Sequence, residues 1–102
     1  MDITTDGVAL RLSGDFDVRS TWRVREALYD HLRHQDGDVV VDLSEVNVID
    51  LTALKVLAVA TRAASHDGRR LTLRGCGPSV RRMLHLTRLI RVVEVDRQAV
   101  GA

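Results

Sequence analysis

Short apolar or alternating runs separated by helix-period stripes recur along the whole chain. This alternation is the feature that most restricts how it can fold. In residues 8–13, Val8, Leu10 and Leu12 share one face, the pattern of a half-buried strand, which Gly14 is expected to end. Asp2 to Thr5 reads as an edge strand pairing back across the hairpin dipeptide Asp6-Gly7. Residues 19–34 follow with helical spacing: Val24, Leu28 and Leu32 recur every fourth position, and either Asp17 or Ser20 is placed to cap the start. Val39-Val40-Val41-Asp42-Leu43 is almost wholly apolar, as expected of a central parallel strand covered on both faces. A turn-like Ser44-Glu45-Val46-Asn47 leads to a second helix over residues 52–66, apolar nearly all round. Leu71 and Leu73 alternate with Arg70, Thr72 and Arg74 in a further strand. Pro78 opens a short helix with its stripe at Val80, Met83, Leu84 and Thr87, and residues 91–95 form a last strand.

Strand–helix alternation of this kind implies an α/β domain with a mainly parallel sheet of four to five strands and three to four helices. At 102 residues without a linker or internal repeat, one domain spanning 1–102 is expected. The start of the chain has neither a basic segment nor an apolar stretch of signal-peptide type, and no apolar run approaches the roughly 20 residues of a membrane span. The expectation is a soluble cytoplasmic domain that engages no membrane.

Charge excludes one class and hints at another. Lys plus Arg number 15 and Asp plus Glu 14, so the net is +1, a poor basis for a general nucleic-acid binder. The total conceals an asymmetry: residues 1–68 hold 7 basic and 12 acidic side chains, residues 69–102 hold 8 and 2. Asp15, Asp17, Asp42, Glu45 and Asp50 all fall in the acidic part.

Catalytic machinery is not apparent. His31 and His34 are three apart on the first helix, as an exposed polar face would place them, and nothing nearby completes a metal site. His66 stands at a helix end and His85 on a polar face. Cys76 lacks an obvious base and suits a small filler in a tight turn. Gly75-x-Gly77 lacks the third glycine of a dinucleotide loop, and there is no phosphate-binding lysine loop. Neither an enzyme, nor a metal, nor a cofactor is expected.

The informative segment is Asp42-Leu43-Ser44-Glu45-Val46-Asn47-Val48-Ile49-Asp50-Leu51-Thr52-Ala53-Leu54-Lys55. A strand feeds an acidic turn, then a hydroxyl residue opens an apolar helix. Asp50 or Thr52 can cap that helix, worth about 1 kcal/mol. The same geometry would stabilise a phosphoryl group on Thr52, through unpaired backbone amides and the helix dipole.

At these residues the chain resembles the STAS domain, and among STAS domains the small bacterial anti-sigma-factor antagonists. Leu12-Ser13-Gly14-Asp15-Phe16-Asp17 is similar to the family's Leu-x-Gly-Glu-Leu-Asp opening, and Val40-Val41-Asp42-Leu43-Ser44 to its central strand. Val48-Ile49-Asp50-Leu51-Thr52-Ala53-Leu54 stands where the family has an apolar pair followed by Asp-Ser-Ser-Gly-Leu. Gly77-Pro78-Ser79-Val80-Arg81-Arg82-Met83-Leu84 resembles its Ser-Pro-x-Val-x-Arg-Leu helix start, and Leu86-Thr87-Arg88-Leu89 its closing Leu-Thr-Gly-Leu.

The resemblance implies partner switching. The unphosphorylated antagonist binds an anti-sigma factor with serine/threonine kinase activity, phosphorylation releases it, and a metal-dependent phosphatase resets it. The phosphoacceptor falls on Thr52, Asp50 matches the motif acid and Asp17 the acid of the first loop. Asp17, Asp50, Leu51, Thr52, Ala53 and Lys55 are then the expected partner-binding residues. This chain departs from the pattern at Leu51 (for Ser), Ala53 (for Gly), Lys55 (for a small residue) and Arg88 (for a turn glycine). Those departures keep a second reading open: a STAS interaction module without phospho-switching, an accessory subunit of a signalling or transport complex.

Overall fold

In the computed structural model, which describes residues 1–96, the organising element is a long strand, β3 (Val39–Ile49), with a neighbour on each side. The sheet runs β1 (Asp2–Asp6), β2 (Ala9–Phe16), β3, β4 (Leu71–Arg74), β5 (Glu94–Val95) in order, with β1 antiparallel to β2 and the other pairs parallel. Helices α1 (Thr21–His34), α2 (Leu51–His66) and α3 (Pro78–Leu86) fill the three parallel crossovers. Strands added in sequence order by right-handed crossovers put every helix on one face of the sheet. Accordingly one apolar cluster joins Leu10, Leu12, Val41, Leu43 and Leu73 of the strands to Leu28, Leu57 and Leu84 of the helices.

The opposite face carries charge. Arg11, Asp42 and Arg74 lie side by side on β2, β3 and β4. The Arg74 guanidinium lies 3.0 Å from Asp42 Oδ2, Arg11 Nε 3.8 Å from the same oxygen, and Arg11 reaches Asp6 at 3.7 Å. Burial pushes the Asp42 carboxyl up, but the Ser44 hydroxyl and amide and the Arg74 guanidinium outweigh it and hold it below the usual carboxylate range. Asp42 thus belongs to a cross-strand ladder that lets an uncovered sheet face meet water. The expectation of apolar cover on both faces of β3 is corrected here.

The turn expected at residues 44–47 is also corrected: β3 continues through it. The core-facing residues Val39, Val41, Leu43, Val46 and Ile49 change spacing from two to three. Each change accompanies a register shift against β2, between Arg11 and Ser13 and between Gly14 and Asp15. A bulge inserts one residue and breaks the alternation by which a strand is read. The first bulge is held by Asp42 Oδ1, which accepts from the Ser44 amide and hydroxyl at 2.9 and 2.6 Å. Gly75 presses on it: a Cβ there, at φ +74°, would lie 2.7 Å from Ser44 Cβ.

β2 likewise runs past Gly14, whose φ of +107° suits it to the second irregularity, and Val8 sits exposed in the turn rather than on the core face. Leu12 and Leu10 do face inward. His31, expected on the polar face, is buried, and its Nε2–H donates to the Val8 carbonyl at 2.8 Å. The last strand shrinks to two residues because Arg88, in the left-handed region at φ 63°, ends α3 and a 3-10 turn occupies Leu89–Arg91. Cys76 is the buried filler expected; burial raises its thiol pKa, with Arg81 a minor opposing influence.

Candidate functional site

Two loops meet at the C-terminal ends of β2 and β3, and Asp50 joins them. Asp50 is the N-cap of α2: its Oδ1 accepts from the Ala53 amide at 2.9 Å, and its carbonyl accepts the first helical bond from Leu54. Its other carboxylate oxygen, Oδ2, accepts from the Val18 amide at 3.0 Å, across 32 residues of sequence. The Asp50 amide in turn donates to the Phe16 carbonyl at 3.3 Å, extending the parallel ladder by one bond. Of the two capping candidates Asp50 therefore serves, and Thr52 is left at the second position of the helix with its side chain exposed. Among the described residues nothing hydrogen-bonds to the Thr52 hydroxyl.

The partnering loop, residues 17–20, is itself braced. Ser20 is buried, its Oγ accepting from the Asp17 amide and lying 3.2 Å from the Asp15 and Asp17 carbonyls, to which its hydroxyl can donate. Asp17 turns outward and binds Arg19 through the backbone amide (3.0 Å) and the guanidinium (2.7 Å). The Arg19 guanidinium and amide hold the Asp17 carboxyl below the usual range. Neither the Asp17 nor the Ser20 side chain accepts from a backbone amide of α1 as a cap, which both were candidates to do.

The six expected partner-binding residues separate. Leu51 (43% exposed), Thr52 and Lys55 lie on the outer face of α2, and Asp17 and Asp50 are half-buried beside them. Ala53 is fully buried, so its methyl packs inward and cannot touch a partner. Two residues not singled out from sequence extend the surface: Val18, 64% exposed, and Trp22, 71% exposed in the first turn of α1. The signal for Trp22 was present, since the sole tryptophan lies off the Val24–Leu28–Leu32 stripe.

The acids of residues 1–68 do not all gather at Thr52: Asp17 and Asp50 stand beside it, Asp42 does not. Asp42 lies roughly 25 Å back along β3, neutralised by arginines. Asp17 is paired with Arg19, and Asp50 is engaged by two amides. On its other side Thr52 borders a groove of about 280 Å³ between α1 and α2, lined by Arg25, Tyr29, Lys55, Val56 and Val59, with no carboxylate among them. No group of three or more His, Cys, Asp or Glu side chains able to hold a metal occurs among the described residues. Nor is any helix among them long and apolar enough to cross a membrane.

A five-stranded sheet with helices on one face and an acid-capped helix opening on an exposed hydroxyl defines a STAS-type domain. The chain belongs to that family: the family model described as "Mlab, STAS domain" matches residues 1–94. Solved structures agree on the fold. A Thermotoga maritima protein, TM1081, shares 21% identity over 98% of this chain and 89% of its own, with a TM-score of 0.78. An anti-sigma factor antagonist from Mycobacterium paratuberculosis shares 20% over 97% and 88%, with a TM-score of 0.75. SpoIIAA, a Bacillus anti-sigma factor antagonist seen in its unphosphorylated form, shares 12% over 98% and 90%, with a TM-score of 0.74. No curated protein matches the chain in sequence.

Proposed function

We propose that this chain is an anti-sigma-factor antagonist that acts by partner switching. It docks on an anti-sigma factor through Val18, Trp22, Leu51, Thr52 and Lys55, and phosphorylation of Thr52 releases it. The observation that carries the reading is the placement of Thr52: an exposed hydroxyl, free of competing bonds among the described residues, on the turn that Asp50 locks to the neighbouring loop. Solved antagonists of the same fold support it. In the transfer, Thr52 Oγ1 forms a bond to the γ-phosphorus of ATP and the bond from that phosphorus to the ADP oxygen breaks. ADP leaves with the electron pair, and the hydroxyl proton passes to a base on the kinase. The chain itself supplies an acceptor and a docking face; catalysis belongs to the kinase and, for removal, to a phosphatase.

The alternative, an accessory STAS subunit that is not phosphorylated, draws on Leu51 and Ala53 in place of the family's Ser and Gly. Pull-down of the partner followed by incubation with ATP and mass spectrometry separates the two. The switch reading expects a phosphate on Thr52 and weaker partner binding by Thr52→Glu. An unmodified Thr52 with unchanged affinity of the Glu variant refutes it.

A further inference from the structure

The groove beside Thr52 contains two cations without an anion. Arg25, in the second turn of α1, and Lys55, one turn after Thr52 on α2, both line it, and neither forms an ion pair among the described residues. Nearby arginines differ in this respect: Arg19 is paired with Asp17 and Arg33 with Asp30. The acids of α1, Glu26 and Asp30, line a different depression with Arg23 and Arg33, not this groove. Thr52 and Lys55, three apart on a helix, have Cβ atoms about 5–6 Å apart, within reach of a flexible lysine. Tyr29, Val56 and Val59 complete the lining with apolar surface.

The geometry points to an intramolecular seat: a phosphoryl group on Thr52 is received in this groove by Lys55 and Arg25. The inference rests on the reading of Thr52 as phosphoacceptor and adds to it a consequence. A phosphate carrying nearly two negative charges gains two cations on adjacent helices and bridges α1 to α2. Phosphorylation then fills the groove, neutralises both cations, and withdraws from a partner the positive and apolar surface between the helices. Release becomes the masking of a surface.

The test installs phosphothreonine at position 52 during synthesis of the full chain, so no kinase is required. The phosphorylated protein is expected to melt about 3–6 °C above the unmodified one at low salt, with a smaller gain at high salt. The second ionisation of the phosphate, followed by 31P NMR, is expected to fall below its usual value near 6. Arg25→Gln with Lys55→Gln removes both effects; both side chains are exposed, and the unmodified double variant serves as the folding control. A phosphorylated protein that melts no higher than the unmodified one, or an equal gain in the double variant, overturns the seat. A kinase that leaves Thr52 untouched while the installed phosphate behaves as expected overturns the proposed function and leaves the seat standing. The converse pair of results overturns the seat and leaves the function.

Discussion

Asp50→Ala tests whether one carboxylate fixes both site loops. The substitution deletes the cap to the Ala53 amide and the cross-loop bond to the Val18 amide. Loss of an aspartate N-cap costs about 1 kcal/mol. The Val18 bond is charge-assisted but solvent-exposed, so water replaces part of it, and its loss costs a further ~1 kcal/mol. The total of about 2 kcal/mol corresponds to a fall in Tm of roughly 8–15 °C for a chain of this length. Asp50→Asn is the informative companion. Its single carbonyl oxygen can serve one of the two amides, while its NH2 group meets the other as donor against donor. It should therefore recover about 1 kcal/mol, landing midway. Urea denaturation at pH 7 measures both, with an unchanged m-value showing that the same surface unfolds. Amide exchange adds a local readout, since Val18 and Ala53 should both lose protection in Asp50→Ala. If Asp50→Ala is within about 0.3 kcal/mol of the parent, or Asn is as stable as Asp, then the two bonds do not hold the loops together.

Leu51→Asp should reduce docking on the anti-sigma factor by tenfold or more with little loss of stability, because Leu51 is 43% exposed; an unfolded variant would show it to be core. Arg88→Gly relieves a left-handed backbone at φ 63°, offset partly by the greater freedom of glycine when unfolded, and should raise stability by about 0.5–1 kcal/mol, read as a higher melting temperature. Gly75→Ala brings a Cβ against Ser44 Cβ and backbone at a positive φ and should cost about 2–4 kcal/mol in denaturant titration. Asp42 has a lowered carboxyl pKa, so its stabilising contribution is present above the unfolded value of 3.8 and is lost as pH falls through the lower folded value. Stability measured from pH 5 to 2 should therefore fall less steeply in Asp42→Asn than in the parent.

How much of this was legible in the sequence varies element by element. The stripes at Val24–Leu28–Leu32 and Val80–Leu84 announced α1 and α3, because a helix buries one face at a fixed local spacing. The stretch after Leu43 was misread because two bulges turn a period of two into three, and bulges answer to the neighbouring strand and to Gly75, both distant in sequence. His31 looked solvent-facing on its helix, yet the turn of the β1–β2 hairpin folds over it and takes its N–H. The final strand was shortened by a left-handed residue that no apolar pattern marks.

The sequence by itself determined the order of elements and the acid-then-hydroxyl entry to α2, since these follow from periodicity and capping chemistry within a few residues; the exposure of Leu51 came from the structure. Only the tertiary structure decided where the charges act. Folding pairs Asp42 with arginines on the uncovered sheet face, commits Asp50 to two amides, and brings Arg25 from another helix to the groove beside Thr52. Electrostatic interaction depends on distance through space and on what already partners each group, and neither can be read from position along the chain.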